Sequence, residues 1–177
     1  GTYIIAEGPQ GLYLIDQHAA HERIVFDRLS VDPGESSSRP LLEPVVVELE
    51  PGQALFVAEH FPDLSRLGFA IEVFGPRSLL VRAVPSVLGS ADPSIALREI
   101  VDELRATGPF GMTFGEAAVW SLACKAAIKA GQPLSFEEQQ ELVRQLEATR
   151  SPRTCAHGRP TMVHLSVSQL ERQFGRR

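Results

Sequence analysis

The stretch TYIIAEGPQGLYLIDQHAAHERIVFDRL, residues 2–29, carries the pattern that decides the fold. Residues 2–7 and 11–16 are two short runs rich in β-branched, aromatic and aliphatic residues, separated by Gly8-Pro9-Gln10, which predicts a β-hairpin. Asp16 then stands where a helix N-cap belongs, ahead of QHAAHERIVFDRL, which predicts a helix. A hairpin that runs directly into a helix points to an α+β fold. The chain opens on what looks like a strand already under way, so we expect it to be a piece cut from a longer protein.

Outward from this stretch, residues 30–40 (SVDPGESSSRP) are rich in Ser, Pro and Gly and mark the expected linker. Beyond it a βαββα-like series is predicted: strand 45–49, helix 52–67, strands 69–74 and 78–84, and a helix opening at Asp92-Pro93 with Leu97, Ile100, Val101 and Leu104 at helical spacing. Gly108-Pro109-Phe110-Gly111 closes that lobe. Two helices follow, each announced by a capping box: Thr113 with Glu116, running to Ala130, and Ser135 with Glu138, running to about Ala148. The first carries a stripe of small and apolar residues, from Ala117 through Ser121 and Cys124 to Ile128, suited to close helix packing or a dimer contact. A loop (149–160), a strand (161–165) and a short helix (166–173) finish the chain.

Composition narrows the function classes. At 177 residues with 44% hydrophobic and 22% charged residues, the chain can bury a core without disulfide staples, and collagenous or disordered classes are excluded. No apolar run approaches the roughly 18 residues of a membrane helix, and no signal peptide is visible. Two cysteines, Cys124 and Cys155, cannot make a disulfide framework. Residues 148–177 hold six Arg against one Glu, a local net of +5 within a chain of net charge -5. A basic tail on an acidic body can steer toward phosphate, while the whole domain is too acidic to hold DNA well by itself; a merely solvated tail is the alternative.

Two clusters could carry chemistry. In Asp16-Gln17-His18-Ala19-Ala20-His21-Glu22, His18 and Glu22 lie four apart and share a helix face, a half-site for a metal. Asp16 could add an oxygen ligand or orient His18; alternatively it only caps the helix. In Cys155-Ala156-His157-Gly158-Arg159-Pro160, a Cys-x-His spacing lets a thiolate and an imidazole reach one zinc-like ion, the alternative being a buried Cys beside a surface His. Cys124 by itself reads as a buried free cysteine. Taken together, both cysteines, two histidines and Glu22 would supply five ligands from three segments. Paired C-x-x-C zinc spacings, G-x-S-x-G, P-loop and H-E-x-x-H motifs are absent.

Over essentially its whole length the chain resembles the C-terminal dimerisation and endonuclease domain of the bacterial mismatch-repair MutL family. The family's D-Q-H-A-x2-E-x4-E element is matched by Asp16, Gln17, His18, Ala19 and Glu22, with Asp27 where the family has Glu. Its A-C-R/K element is matched by Ala123-Cys124-Lys125. Its C-P-H-G-R-P element is matched by Cys155 to Pro160, with Ala156 for Pro, and its F-x-R element by Phe174-Gly175-Arg176.

The resemblance implies a DNA nickase of mismatch repair, activated by manganese and tuned by zinc, with ATP bound only in an absent N-terminal domain. It implies a dimerisation lobe, a short sheet plus helices from 1–30 and 113–177, and an external regulatory βαββα-like lobe from 38–110. His18, Glu22, Cys124, Cys155 and His157 become expected metal ligands; Asp16, His18 and Glu22 expected catalytic residues. Arg159, Arg176 and Arg177 become expected DNA contacts, with ordinary surface arginine as the alternative. Implied partners are a second copy, DNA, the mismatch-recognition protein MutS, and the replication sliding clamp, in a bacterial cytoplasm without membrane attachment. The clamp motif is matched in part by Leu41, Leu42 and Pro44, with Arg39 in the place of Gln. Homologues without these motifs only dimerise, so an inactive dimerisation module with a structural zinc site is the rival reading.

Overall fold

The computed structural model describes residues 2–31, 38–107, 113–128, 131–155 and 158–176. Helices and small antiparallel sheets mix along the chain, as expected of an α+β fold. It divides into two compact units: Gly1–Asp27 with Ala127–Arg177, and Arg28–Ala126. Among the described residues no helix is long and apolar enough to cross a membrane.

The first unit is built on the opening hairpin. Strands β1 (Tyr3–Gly8) and β2 (Gly11–Asp16) pair antiparallel across Pro9-Gln10, and β2 also pairs with β6 (Met162–Ser166), giving the order β1-β2-β6. The two-residue period puts Ile4, Ala6, Tyr13, Ile15 and Met162 on one face. Against that face pack Ala20 and Ile24 of α1 (Gln17–Val31) and Leu142 and Leu146 of α6 (Phe136–Glu147). Asp16 caps α1, its Oδ1 accepting from the amides of His18 at 2.9 Å and Ala19 at 3.0 Å. Ser135 and Glu138 form the expected capping box of α6, and Ser166 with Gln169 caps α7 (Val167–Gln173) in the same way.

The second unit has the sheet order β3-β5-β4, with β3 (Ser38–Glu48), β4 (Ala70–Gly75) and β5 (Ser78–Pro85) all antiparallel. Strand β3 begins inside the segment expected to be a linker and bulges between Pro40 and Val45. The helix expected over 52–67 is two helices, α2 (Pro51–Glu59) and α3 (Phe61–Arg66). Pro62 has no amide to donate and crowds the carbonyl four residues back, so the chain breaks at His60. Helix α4 (Pro93–Thr107) opens on the Asp92 cap and buries Leu97, Ile100, Val101 and Leu104, the predicted stripe.

Helix α5 (Phe114–Ala126) belongs to the second unit, whereas the resemblance assigned 113–126 to the dimerisation lobe. Its small residues are spent inside that unit: Ala118, Ser121 and Leu122 are buried, Ser121 Oγ donates to Glu103 at 2.7 Å, and Lys125 pairs with Glu99 at 3.0 Å. Of the predicted stripe, Ser121 is buried while Ala117, Trp120 and Cys124 are half-buried. Glu116 accepts from the Thr113 amide and hydroxyl, which hold its carboxyl below the ordinary range. Because the folded value is the lower one, this cap contributes at neutral pH and fades as the pH falls through the carboxylate range.

Gly11 is the tightest joint in the first unit. Its φ is +136°, and a Cβ there would stand 2.2 Å from the Leu165 carbonyl oxygen. Gly11→Ala is expected to destabilise the fold by about 1–3 kcal/mol, from strain and overpacking together. Thermal unfolding measures this, and an unchanged midpoint would refute it.

Candidate metal centre

The site is built on the first two turns of α1, where polar residues face the inside of the first unit. Glu22 is 5% exposed, and a carboxylate so buried needs compensation. It faces His18 across one turn, Nε2 to Oε1 at 3.2 Å. The other His18 nitrogen, Nδ1, lies 2.8 Å from the Ile128 carbonyl oxygen. A carbonyl can only accept, so Nδ1 carries the hydrogen and Nε2 is the nitrogen turned toward Glu22. A proton or a metal ion between Nε2 and the carboxylate would join the two.

The Ile128 backbone is also held through its amide, which donates to His21 Nδ1 at 3.0 Å. Gln17, 3% exposed, donates to the Gln132 carbonyl at 2.6 Å. Three residues of α1 thus use the backbone of Ile128 and Gln132. Asp16 spends Oδ1 on the cap, and the orienting partner of the His18 ring is the Ile128 carbonyl instead.

The loop carrying Cys155 lies against the same helix. Cys155 is 1% exposed, and neither cysteine is in a disulfide. Within the loop the Cys155 amide donates to the Arg159 carbonyl at 2.8 Å, and Thr154 bridges Pro160. Arg23 of α1 reaches over, Nε donating to the Thr154 carbonyl at 2.6 Å and Nη2 to the Cys155 carbonyl at 2.8 Å. Its Nη1 meets Asp27 at 3.1 Å, and the second oxygen of Asp27 accepts from the Arg150 amide at 2.7 Å. At the far end of the loop the Asp16 amide donates to the Thr161 carbonyl at 2.9 Å.

His157 and Arg177 lie outside the described residues. Among the described residues no group of three or more His, Cys, Asp or Glu side chains is gathered closely enough to hold an ion. Cys124, half-buried, is on α5 in the second unit. Arg159 and Arg176 are exposed. Leu41, Leu42 and Pro44 sit on the β3 bulge, with Leu42 fully exposed, and Arg39 is tied to its own unit through the Gly89 carbonyl at 2.7 Å. Arg23 was not anticipated from the sequence; its i,i+4 spacing to Asp27 was the available signal.

Residues 1–134 match the family described as the MutL C terminal dimerisation domain. Along 99% of its length the chain is also similar to proteins named DNA mismatch repair protein MutL. It is 43% identical to the protein of Paramagnetospirillum magneticum, 40% to that of Phenylobacterium zucineum and 39% to that of Caldanaerobacter subterraneus. The chain spans about 30% of the length of these relatives.

The capping role of Asp16 is separable from any role toward an ion. Asp16→Ser keeps a competent cap and is expected to leave thermal stability close to wild type, while Asp16→Ala should cost about 1 kcal/mol. Equal losses in the two variants, read by thermal unfolding, would show that capping is not what Asp16 contributes to stability.

Proposed function

The chain belongs to the family of MutL C-terminal dimerisation domains, and from that membership we propose that it is the self-associating, metal-dependent endonuclease portion of a mismatch-repair protein. The observation that carries the nuclease reading is the His18–Glu22 pair, an imidazole Nε2 3.2 Å from a buried carboxylate on the helix that also holds the Cys155 loop. The donor set suits a divalent ion: imidazole Nε2, carboxylate and thiolate, with His157 completing the element that Cys155 opens.

When bound, such an ion, manganese for cutting or zinc for tuning, supplies Lewis-acid polarisation of a phosphodiester and an activated water. His18 and Glu22 would hold it from the helix, Cys155 and His157 from the loop. The Ile128 carbonyl keeps His18 in the tautomer that offers Nε2. Arg159, Arg176 and Arg177 would hold the DNA backbone, in a chain whose net charge of -5 leaves most DNA attraction to the rest of the protein and to its partners. MutS and, through Leu41, Leu42 and Pro44, a sliding clamp are the partners proposed.

Self-association is supported by the bare face of the first unit's sheet. Opposite the core face stand Tyr3, Ile5, Leu12, Leu14, Val163 and Leu165. Tyr3, Ile5, Val163 and Leu165 are 59%, 69%, 53% and 37% exposed, an uncovered apolar patch of the kind that marks an interface. We place a symmetric dimer contact here.

Two outcomes test these readings. Replacing Ile5 and Val163, neighbours through Leu14, by Asp should give a folded monomer in sedimentation; a dimer of wild-type strength would sink this choice of surface. Glu22→Ala in the full-length protein should abolish manganese-dependent nicking of supercoiled plasmid while the dimer persists. A Glu22→Ala protein that nicks at the wild-type rate would leave only the inactive dimerisation module with a structural zinc site.

A further inference from the structure

Beside the His18–Glu22 ridge of α1 runs a second i,i+4 ridge, Arg23–Asp27, one residue and about 100° further round the helix. Both of its side chains are largely buried, 11% and 14% exposed. All three guanidinium nitrogens of Arg23 are engaged, and two of them hold the carbonyls of consecutive residues, Thr154 and Cys155. Asp27 uses both oxygens, one on Arg23 and the other on the Arg150 amide. The Arg23 ring of contacts is completed by Phe26, whose face lies 5.4 Å beneath the guanidinium carbon.

We propose that Arg23 and Asp27 are positioning residues for the metal centre: together they clasp the 150–155 segment to α1, so that Cys155 is held ready beside the helix that carries His18 and Glu22. This rests on the metal-site reading above. The clasp grips backbone, so it sets where the loop runs whatever side chains the loop bears. A centre that collects donors from a helix and a separate loop must hold them to within a few tenths of an ångström of about 2.0–2.3 Å bonds. Only a planar fork can reach two successive carbonyls and a carboxylate at once; lysine, with one ammonium, cannot. Asp27, at the position where the related motif has Glu, is then a partner of Arg23 and of the loop backbone, not a ligand.

The test is a cobalt(II) titration of the full-length protein, read by thiolate-to-cobalt charge-transfer absorption, with sedimentation and thermal unfolding recorded alongside. Arg23→Lys is expected to weaken cobalt binding by about 10–100-fold and to diminish the thiolate band while the protein stays folded and dimeric. Asp27→Asn, which leaves both Arg23–carbonyl bonds possible, should weaken it less; it decides the matter if Arg23→Lys does not fold. Variants that lose stability yet bind cobalt with wild-type affinity and absorption would overturn the proposal, reducing the clasp to a structural tie. A wild-type protein with no thiolate band would instead overturn the metal-site reading, and this proposal with it.

Discussion

The first unit depends on burying a polar helix turn. Between Asp16 and Asp27 the chain presents two carboxylates that cap or clasp, a third that is buried, two histidines, a glutamine and an arginine, all on the helix that must also close the hydrophobic core with Ala20 and Ile24. Buried polar groups are costly unless partnered. Outside the helix, side chains of this turn meet backbone groups of Ile128, Gln132, Arg150, Thr154 and Cys155, and the Asp16 and Gln17 amides donate to the Thr161 and Thr2 carbonyls. These contacts hold Ile128, Gln132 and the 150–155 segment against α1, and the candidate centre lies where they meet it.

This arrangement separates two tasks within one sheet. Its inner face, with Ile4, Ile15 and Met162, anchors the helix that carries the polar turn. Its outer face, with Ile5 and Val163, is left apolar and uncovered. Strand periodicity places the two sets on opposite sides without any additional element. A second copy on the outer face would cover apolar surface while leaving the inner packing of α1 undisturbed. Self-association and any chemistry at His18 and Glu22 then make separate demands on the sequence.

The second unit follows a different economy. Its helices α4 and α5 are joined by apolar stripes and by the Ser121–Glu103 and Lys125–Glu99 contacts. Phe114 stacks on His60 at 3.8 Å between ring centres, and Gln53 ties α2 to Asp102 of α4 at 2.6 Å. Of the small residues of α5, Ala118, Ser121 and Ala123 are buried here. The β3 bulge, by contrast, turns Leu42 fully outward, a feature that serves no packing inside the unit.

Much of this was legible in the sequence wherever the deciding interaction spans four residues or fewer. The hairpin around Pro9-Gln10, the Asp16 and Asp92 caps, the Thr113 and Ser135 capping boxes, and the one-turn pairing of His18 with Glu22 are all local, and all stand in the structure. What spacing could not disclose was decided between distant parts of the chain. Ile128 meets His18 across 110 residues and orients a ring that Asp16 had seemed placed to orient. Arg23 finds Cys155 across 132 residues. Helix α5 lies in the second unit, where Ser121 meets Glu103 and Lys125 meets Glu99 of α4, contacts that the spacing of its stripe did not specify. A side chain's spacing along the chain fixes the face it occupies. Which surface covers that face is set by where the backbone returns, and only the folded chain brings those surfaces together.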